Sequence, residues 1–259
     1  ASKPLNYVGL YADSHATGNG GTATLNIPVF ANSTDLWGSM VKVMANVTGT
    51  GEGSRVWLEG GPQSSDDYAI RVAKGVTVAA DNIYIGGMAS DTPMFPNVIL
   101  QGTLAGNGIN FYGVSDVFSG PTGGLTVTGA NPSVYFGFTG RIKTAPYLNA
   151  SNFRYNYLPI NFDASASGPL NLTLNPVAYD TNGTNNGLAA VNLLVNGSVN
   201  LSQHSVNAFV QPNSTAVTGI TNIPNTHLVL QSTGNITTMG DFYWPGYVYL
   251  GTVDSDTNG

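Results

Sequence analysis

The sequence predicts an all-β fold in which short strands stack coil upon coil into a β-solenoid. Three observations predict it. Strong helix formers are scarce beside 33 glycines and 14 prolines, and no long segment keeps a 3.6-residue period. Short runs of alternating apolar residues recur along the chain. The runs end at corners rich in Gly and Asn, which tolerate φ > 0 at tight turns.

Taken in order, Gly75 to Gly87 reads GVTVAADNIYIGG, two short strands joined by Ala79, Ala80, Asp81 and Asn82. The same shape returns as VILQGTLAGNGINFYG (98–113), GLTVTGANPSVYFGF (124–138) and GPLNLTLNPVAYD (168–180). It returns again as LLVNGSVNLS (193–202) and LVLQSTGNITT (228–238). The last two align, with Val195–Ser202 set on Leu230–Thr237 after one residue of slippage. Alternation points one side chain in and the next out.

Two architectures fit this pattern: a solenoid whose strands pair in parallel from coil to coil, and a β-sandwich or jelly roll. The solenoid is favoured because coil insertions explain the irregular spacing. Recurrent Asn also suits stacked, hydrogen-bonded side-chain ladders. Two stretches depart from the pattern. Residues 141–163 hold three basic and five aromatic residues and read as an excursion or capping hairpin. Residues 49–71 carry Glu52, Arg55, Glu59, Asp66, Asp67 and Arg71 and read as loop-bearing. No linker divides the chain, so residues 1–259 read as one solenoid segment.

Composition narrows function. Charged residues are 8% of the chain, against about 25% in ordinary soluble domains. Asn, Ser, Thr and Gly supply the polarity instead, which suits a surface that meets neutral glycans or packs side by side. The net charge of −6 and thinly scattered Lys and Arg leave no basic patch for nucleic acid or an anionic membrane. The absence of cysteine excludes disulfides and thiol chemistry. No run approaches the roughly 18 apolar residues of a membrane span. The opening ASKPLNYVGL reads as the start of a mature or excised chain, with any export signal removed.

The repeated units, GVTVAADNIYI above all, and the closing LVLQSTGNITTMGDFYWPGYVYLG resemble bacterial filamentous-haemagglutinin-type adhesins exported by two-partner secretion. The likeness covers most of residues 75–140 and 188–252. The family's Asn-Pro-Asn-Gly-Ile secretion motif is missing, since Asn131-Pro132 is followed by Ser133. The resemblance implies a right-handed parallel β-helix, an extended rod at the cell surface, and adhesion to cells, glycans or a biofilm matrix.

Candidate chemistry is sparse. His15, His204 and His227 form no HxH or HExxH spacing, and no GxSxG elbow accompanies them. Asp66 and Asp67 are adjacent and would face opposite sides of a strand. The other acids stand mostly alone near turns, although coils can bring distant acids together. Asp254, Asp256 and Asn258 alternate before Gly259 like the first half of a calcium loop, the one cofactor the sequence raises; a polar surface turn is the commoner outcome of so short a match. Tyr147, Phe153, Arg154, Tyr155 and Tyr157 cluster in the excursion, where exposed rings could stack on sugars; Tyr147, Arg154, Tyr155 and Tyr157 are the candidate ligand contacts. A second aromatic cluster comprises Phe242, Tyr243, Trp244, Tyr247 and Tyr249, with core filling or end capping as its plainer role. Nine N-x-S/T sequons, among them Asn46, Asn171, Asn196 and Asn200, arise readily from this composition and would carry glycans only in a glycosylating host.

These readings converge on an extracellular adhesin segment without catalysis, its partner a surface glycan, exopolysaccharide or neighbouring-cell receptor, with self-association open. The alternatives are a surface filament or surface-layer subunit and a polysaccharide-processing β-helix enzyme.

Overall fold

The computed structural model describes residues 4–12, 20–61, 68–87, 97–114, 117–120, 122–138, 142–144, 157–176, 191–203, 227–240, 242 and 247–253. Among them there is no helix. In chain order the strands are β1 (Leu5–Tyr11), β2 (Thr22–Leu25), β3 (Val29–Gly38), β4 (Met40–Val43), β5 (Val47–Gly49) and β6 (Arg55–Gly60). Then come β7 (Ile70–Val72), β8 (Thr77–Ala79), β9 (Asn82–Gly87), β10 (Val98–Leu100), β11 (Thr103–Gly106) and β12 (Gly108–Val114). They are followed by β13 (Val117–Ser119), β14 (Gly124–Val127), β15 (Ser133–Phe138), β16 (Ile142–Thr144), β17 (Leu158–Phe162) and β18 (Leu170–Pro176). The last are β19 (Val191–Asn196), β20 (Val199–Gln203), β21 (His227–Ser232), β22 (Ile236–Thr238) and β23 (Tyr247–Thr252).

The chain returns to the same neighbour every third strand. One ladder joins β4, β7, β10, β13 and β16. A second joins β5, β8, β11, β14 and β17. A third joins β6, β9, β12, β15 and β18. β3 is long enough to serve two ladders, pairing β5 through Val29–Ala31 and β6 through Ser33–Gly38. β19 likewise pairs both β16 and β17. The pairings of the described residues run parallel, which departs from the sandwich or jelly-roll alternative, whose neighbouring strands are antiparallel.

The circuit length varies. On the third ladder Thr34 stands opposite Val56, then Ile83, Ile109, Val134, Leu172 and Leu201, so successive steps range from 22 to 38 residues. Insertions at corners change the count without disturbing the register, which is why the sequence repeat is weak. The alignment of Val195 with Leu230 is corrected by the register: Val195 pairs with Ser232, and Val199 with Ile236. A two-residue shift keeps every side chain on its own face, so alternation alone cannot detect it.

The core is a set of columns running across the strands. Val56, Ile83, Ile109 and Val134 form one, all fully buried or nearly so. Leu36, Leu58, Ile85, Phe111, Phe136 and Leu174 form the next, and the Phe111 and Phe136 rings stack at 4.9 Å and 15°. Corner side chains bond to the following circuit: the Thr77 N–H donates to Asn46 Oδ1 at 2.9 Å, and the Asp81 N–H to Ser54 Oγ at 3.1 Å. In place of the extended asparagine ladders expected, the described residues show two asparagine pairs. Asn196 Nδ2 donates to Asn161 Oδ1, and Asn200 Nδ2 to Asn171 Oδ1 at 3.3 Å. Gly75, at φ 75°, takes the left-handed corner ahead of β8.

The two departing stretches contain more strand than expected. From residues 49–71, Arg55–Gly60 forms β6, with Val56 and Leu58 buried while Arg55, Trp57 and Glu59 face outward. Charge made this segment look like a loop, but its charges occupy the outward positions of a regular alternation. From 141–163, β16 and β17 both belong to the ladders, and 145–156 lie outside the described residues.

Candidate functional site

The outward side of the third ladder carries two adjacent columns. One runs Gly9, Asp35, Trp57, Tyr84, Asn110, Tyr135 and Thr173. The other runs Tyr11, Trp37, Glu59, Gly86, Tyr112 and Gly137. Between them, six successive strands each contribute one aromatic ring: Tyr11 from β1, Trp37 from β3, Trp57 from β6, Tyr84 from β9, Tyr112 from β12 and Tyr135 from β15. Local sequence explains the placement. Ser33–Gly38, Arg55–Gly60 and Asn82–Gly87 read STDLWG, RVWLEG and NIYIGG. In each, the second and fourth residues are buried, so the third and fifth face out.

Ring contacts join these residues in two groups. Tyr11 meets Trp37 edge-on at 5.4 Å and 80°, Trp57 lies 5.4 Å from Tyr84 at 35°, and Trp57 meets Tyr112 edge-on at 6.0 Å and 87°. Glycines make room for them. A Cβ on Gly86 would sit 2.4 Å from the Tyr112 ring, so this ring lies directly over the neighbouring strand's backbone. The Tyr135 ring covers Gly137 in the same way, 2.7 Å from where a Cβ would stand. At the β1 end the Tyr7 and Tyr11 hydroxyls share a hydrogen bond. Beyond β15 the layer gives way to a polar surface, where Thr173 Oγ1 and Ser202 Oγ bond to one another at 3.0 Å.

Two carboxyl groups sit near one end of this layer. Asp35 on β3 faces Trp57 of β6, and Glu59 lies two residues further along β6, diagonally across the strands. Asp35 is 7% exposed. Its Oδ2 lies 3.8 Å from Arg55 Nη2, and Arg55 Nε donates to Ser33 Oγ at 2.8 Å. Asp35 Oδ1, Trp37 Nε1, Trp57 Nε1 and the Tyr112 hydroxyl are buried and make no hydrogen bond. Native interiors leave few such groups, because each costs about 1–3 kcal/mol of lost solvation.

Burial raises the Glu59 carboxyl above its ordinary range, and the Asp35 carboxylate adds to the rise. Burial also raises the Tyr112 hydroxyl, and the Glu59 charge adds to that. The Trp57 N–H is near enough to favour the ionised form of both groups, without closing a hydrogen bond of good geometry to either.

The arrangement presents half-buried ring faces on which C–H groups can stack. Among the described residues no three acidic, histidine or cysteine side chains come together to hold a metal ion. Tyr157 is half-buried just ahead of β17, on the second ladder and away from the ring layer. Tyr147, Arg154, Tyr155, Asp254, Asp256 and Asn258 lie outside the described residues, as do His15, His204, Asp66 and Asp67. His227 opens β21, in register with Tyr247. Of the closing aromatics, Phe242 packs against the core and Tyr249 is 43% exposed.

Sequence reasoning missed the ring layer because its members are 20 to 30 residues apart. The three units ending in glycine, STDLWG, RVWLEG and NIYIGG, were the signal that could have found it.

No family model matches the chain, and neither a curated protein nor a solved structure matches it.

Proposed function

We propose that this protein is an extracellular adhesin segment, built as a right-handed parallel β-helix, which attaches to glycans through the aromatic layer of its third ladder. The single observation that carries the reading is the outward ring on each of six neighbouring strands. Three supports stand beside it. Parallel pairing at every third strand is what a solenoid produces, and parallel crossovers are overwhelmingly right-handed. A surface with 8% charged residues suits neutral sugars better than ionic partners. Half-buried Tyr and Trp offer large, rigid, amphipathic contact area.

The test is binding of the purified chain to a glycan array and to insoluble polysaccharides, beside Trp57→Ala. Binding that falls at least about tenfold in the variant, a loss of about 1.4 kcal/mol, supports the reading. A blank array and no polysaccharide retention would end it.

One observation favours a second reading, polysaccharide cleavage: Asp35 and Glu59 lie on adjacent strands, and Glu59 holds its proton unusually well. Release of reducing ends from a bound polysaccharide, abolished by Glu59→Gln, would establish it.

A further inference from the structure

We infer that the glycan is an extended, neutral, β-1,4-linked chain that lies across the strands, along the ring layer, with one sugar residue over each strand. The inference rests on the glycan-binding reading and adds the ligand's direction, length and class.

Direction follows from the dimensions of the layer. On the strands from β3 to β15 the aromatic surface is only two columns wide. Next to it stands a column that opens with Tyr7 on β1 and from there runs Ser33, Arg55, Asn82, Gly108 and Ser133, polar or without a side chain, in which the Arg55 guanidinium is engaged by Asp35 and Ser33. A sugar chain laid along a strand would leave the rings after about one residue. Across the strands each of the six carries one ring, in one or other of the two columns, from Tyr11 to Tyr135. Parallel neighbours stand about 4.8 Å apart, so six rings span about 24 Å. A pyranose in an extended β-1,4-linked chain advances by about the same step, which keeps ring and sugar in phase over the whole layer.

Length follows from where the layer stops. At β18 the outward column changes to Thr173, whose hydroxyl is already bonded to Ser202, and Asn171 is bonded to Asn200. These groups hold one another and offer no ring. At the other end the layer closes on Tyr11 of β1, beside Trp37. Class follows from charge: Asp35 and Glu59 on this face, in a chain of net charge −6, disfavour uronic or sulfated sugars.

The experiment is calorimetric titration of the full chain with cello-oligosaccharides of one to eight residues. Affinity is expected to rise roughly fivefold per added sugar, the worth of one aromatic contact. It should level off at about six residues, the number of rings between Tyr11 and Tyr135. Tyr135→Thr, which removes the last ring and continues the Thr173 surface, moves the plateau one residue shorter. Tyr84→Ala breaks the layer in the middle and costs long oligosaccharides more than short ones; melting curves of both variants establish that they are folded. Three results overturn the inference while leaving glycan binding intact: equal affinity for two and six residues, a plateau unmoved by Tyr135→Thr, or array binding without any cello-oligosaccharide binding. A blank array as well removes the parent reading.

Discussion

Replacing Phe136 by alanine tests the stacking of circuits most directly. Phe136 is fully buried, and its ring lies 4.9 Å from Phe111 of the preceding circuit, tilted by 15°. Truncation to alanine removes roughly 150 Å² of buried apolar area, worth about 4 kcal/mol at about 25 cal/mol per Å². Loss of the ring–ring contact adds about 1 kcal/mol, which puts the total near the top of the 3–5 kcal/mol range for such changes. Phe136→Leu, which refills most of the space, is expected to cost about 1–2 kcal/mol. In a stacked array each circuit touches only its neighbours, so the damage stays local. Hydrogen exchange read strand by strand should show protection collapsing in β12, β15 and β18 and persisting in β3 and β6. Urea unfolding supplies the overall loss. A loss below about 1 kcal/mol, or protection falling as far in β3 as in β15, would refute the reasoning, because a closed barrel with one shared core would spread the damage through every strand.

Three further outcomes are expected. Glu59 holds its proton more tightly folded than unfolded, so its contribution to stability is favourable at acid pH and falls as pH rises from the ordinary carboxylate value through the raised one. Glu59→Gln should therefore raise the melting temperature at pH 7 and leave it unchanged near pH 4; equal shifts at both pH values would contradict the burial described. Gly123→Ala places a Cβ 1.9 Å from the Leu100 carbonyl oxygen of the preceding circuit, and backbone cannot give way as a side-chain tip can, so a loss of about 1–3 kcal/mol in urea unfolding is expected. Asn200→Ala removes the bond to Asn171 Oδ1 and should cost about 0.5–1.5 kcal/mol; an unchanged urea midpoint would show that this pair contributes nothing.

The strands themselves were legible wherever both faces obeyed the alternation. GVTVAADNIYIGG yields two strands as expected, β8 and β9, although the joint is shorter than expected: Ala79 closes β8 and Asn82 opens β9, leaving only Ala80 and Asp81 between them. The asparagine pairs were legible in kind, since Asn is abundant at strand ends, but not in their partners. β6 was hidden because two of its three outward residues are charged, and charge in a short window looks like loop. The partners of Val195 and Val199 were misjudged by two residues, a shift that alternation cannot detect. The ring layer was illegible for a different reason: Trp37, Trp57 and Tyr84 are brought onto one side only through pairings 22 and 27 residues apart, and the intervening corners vary in length.

By itself, then, the sequence determined the class of secondary structure, the in–out assignment within each strand, and a weakly charged composition. Those properties are local: they depend on the steric preferences of Gly and Asn, on a period of two, and on composition. Tertiary structure alone decided the parallel register, the coming together of Asp35 and Glu59, and the gathering of rings from Tyr11 to Tyr135 on one outward side. Register is a competition between pairings that local preference scores nearly alike, and it is resolved only when the buried columns from Leu36 through Phe136 close on one another.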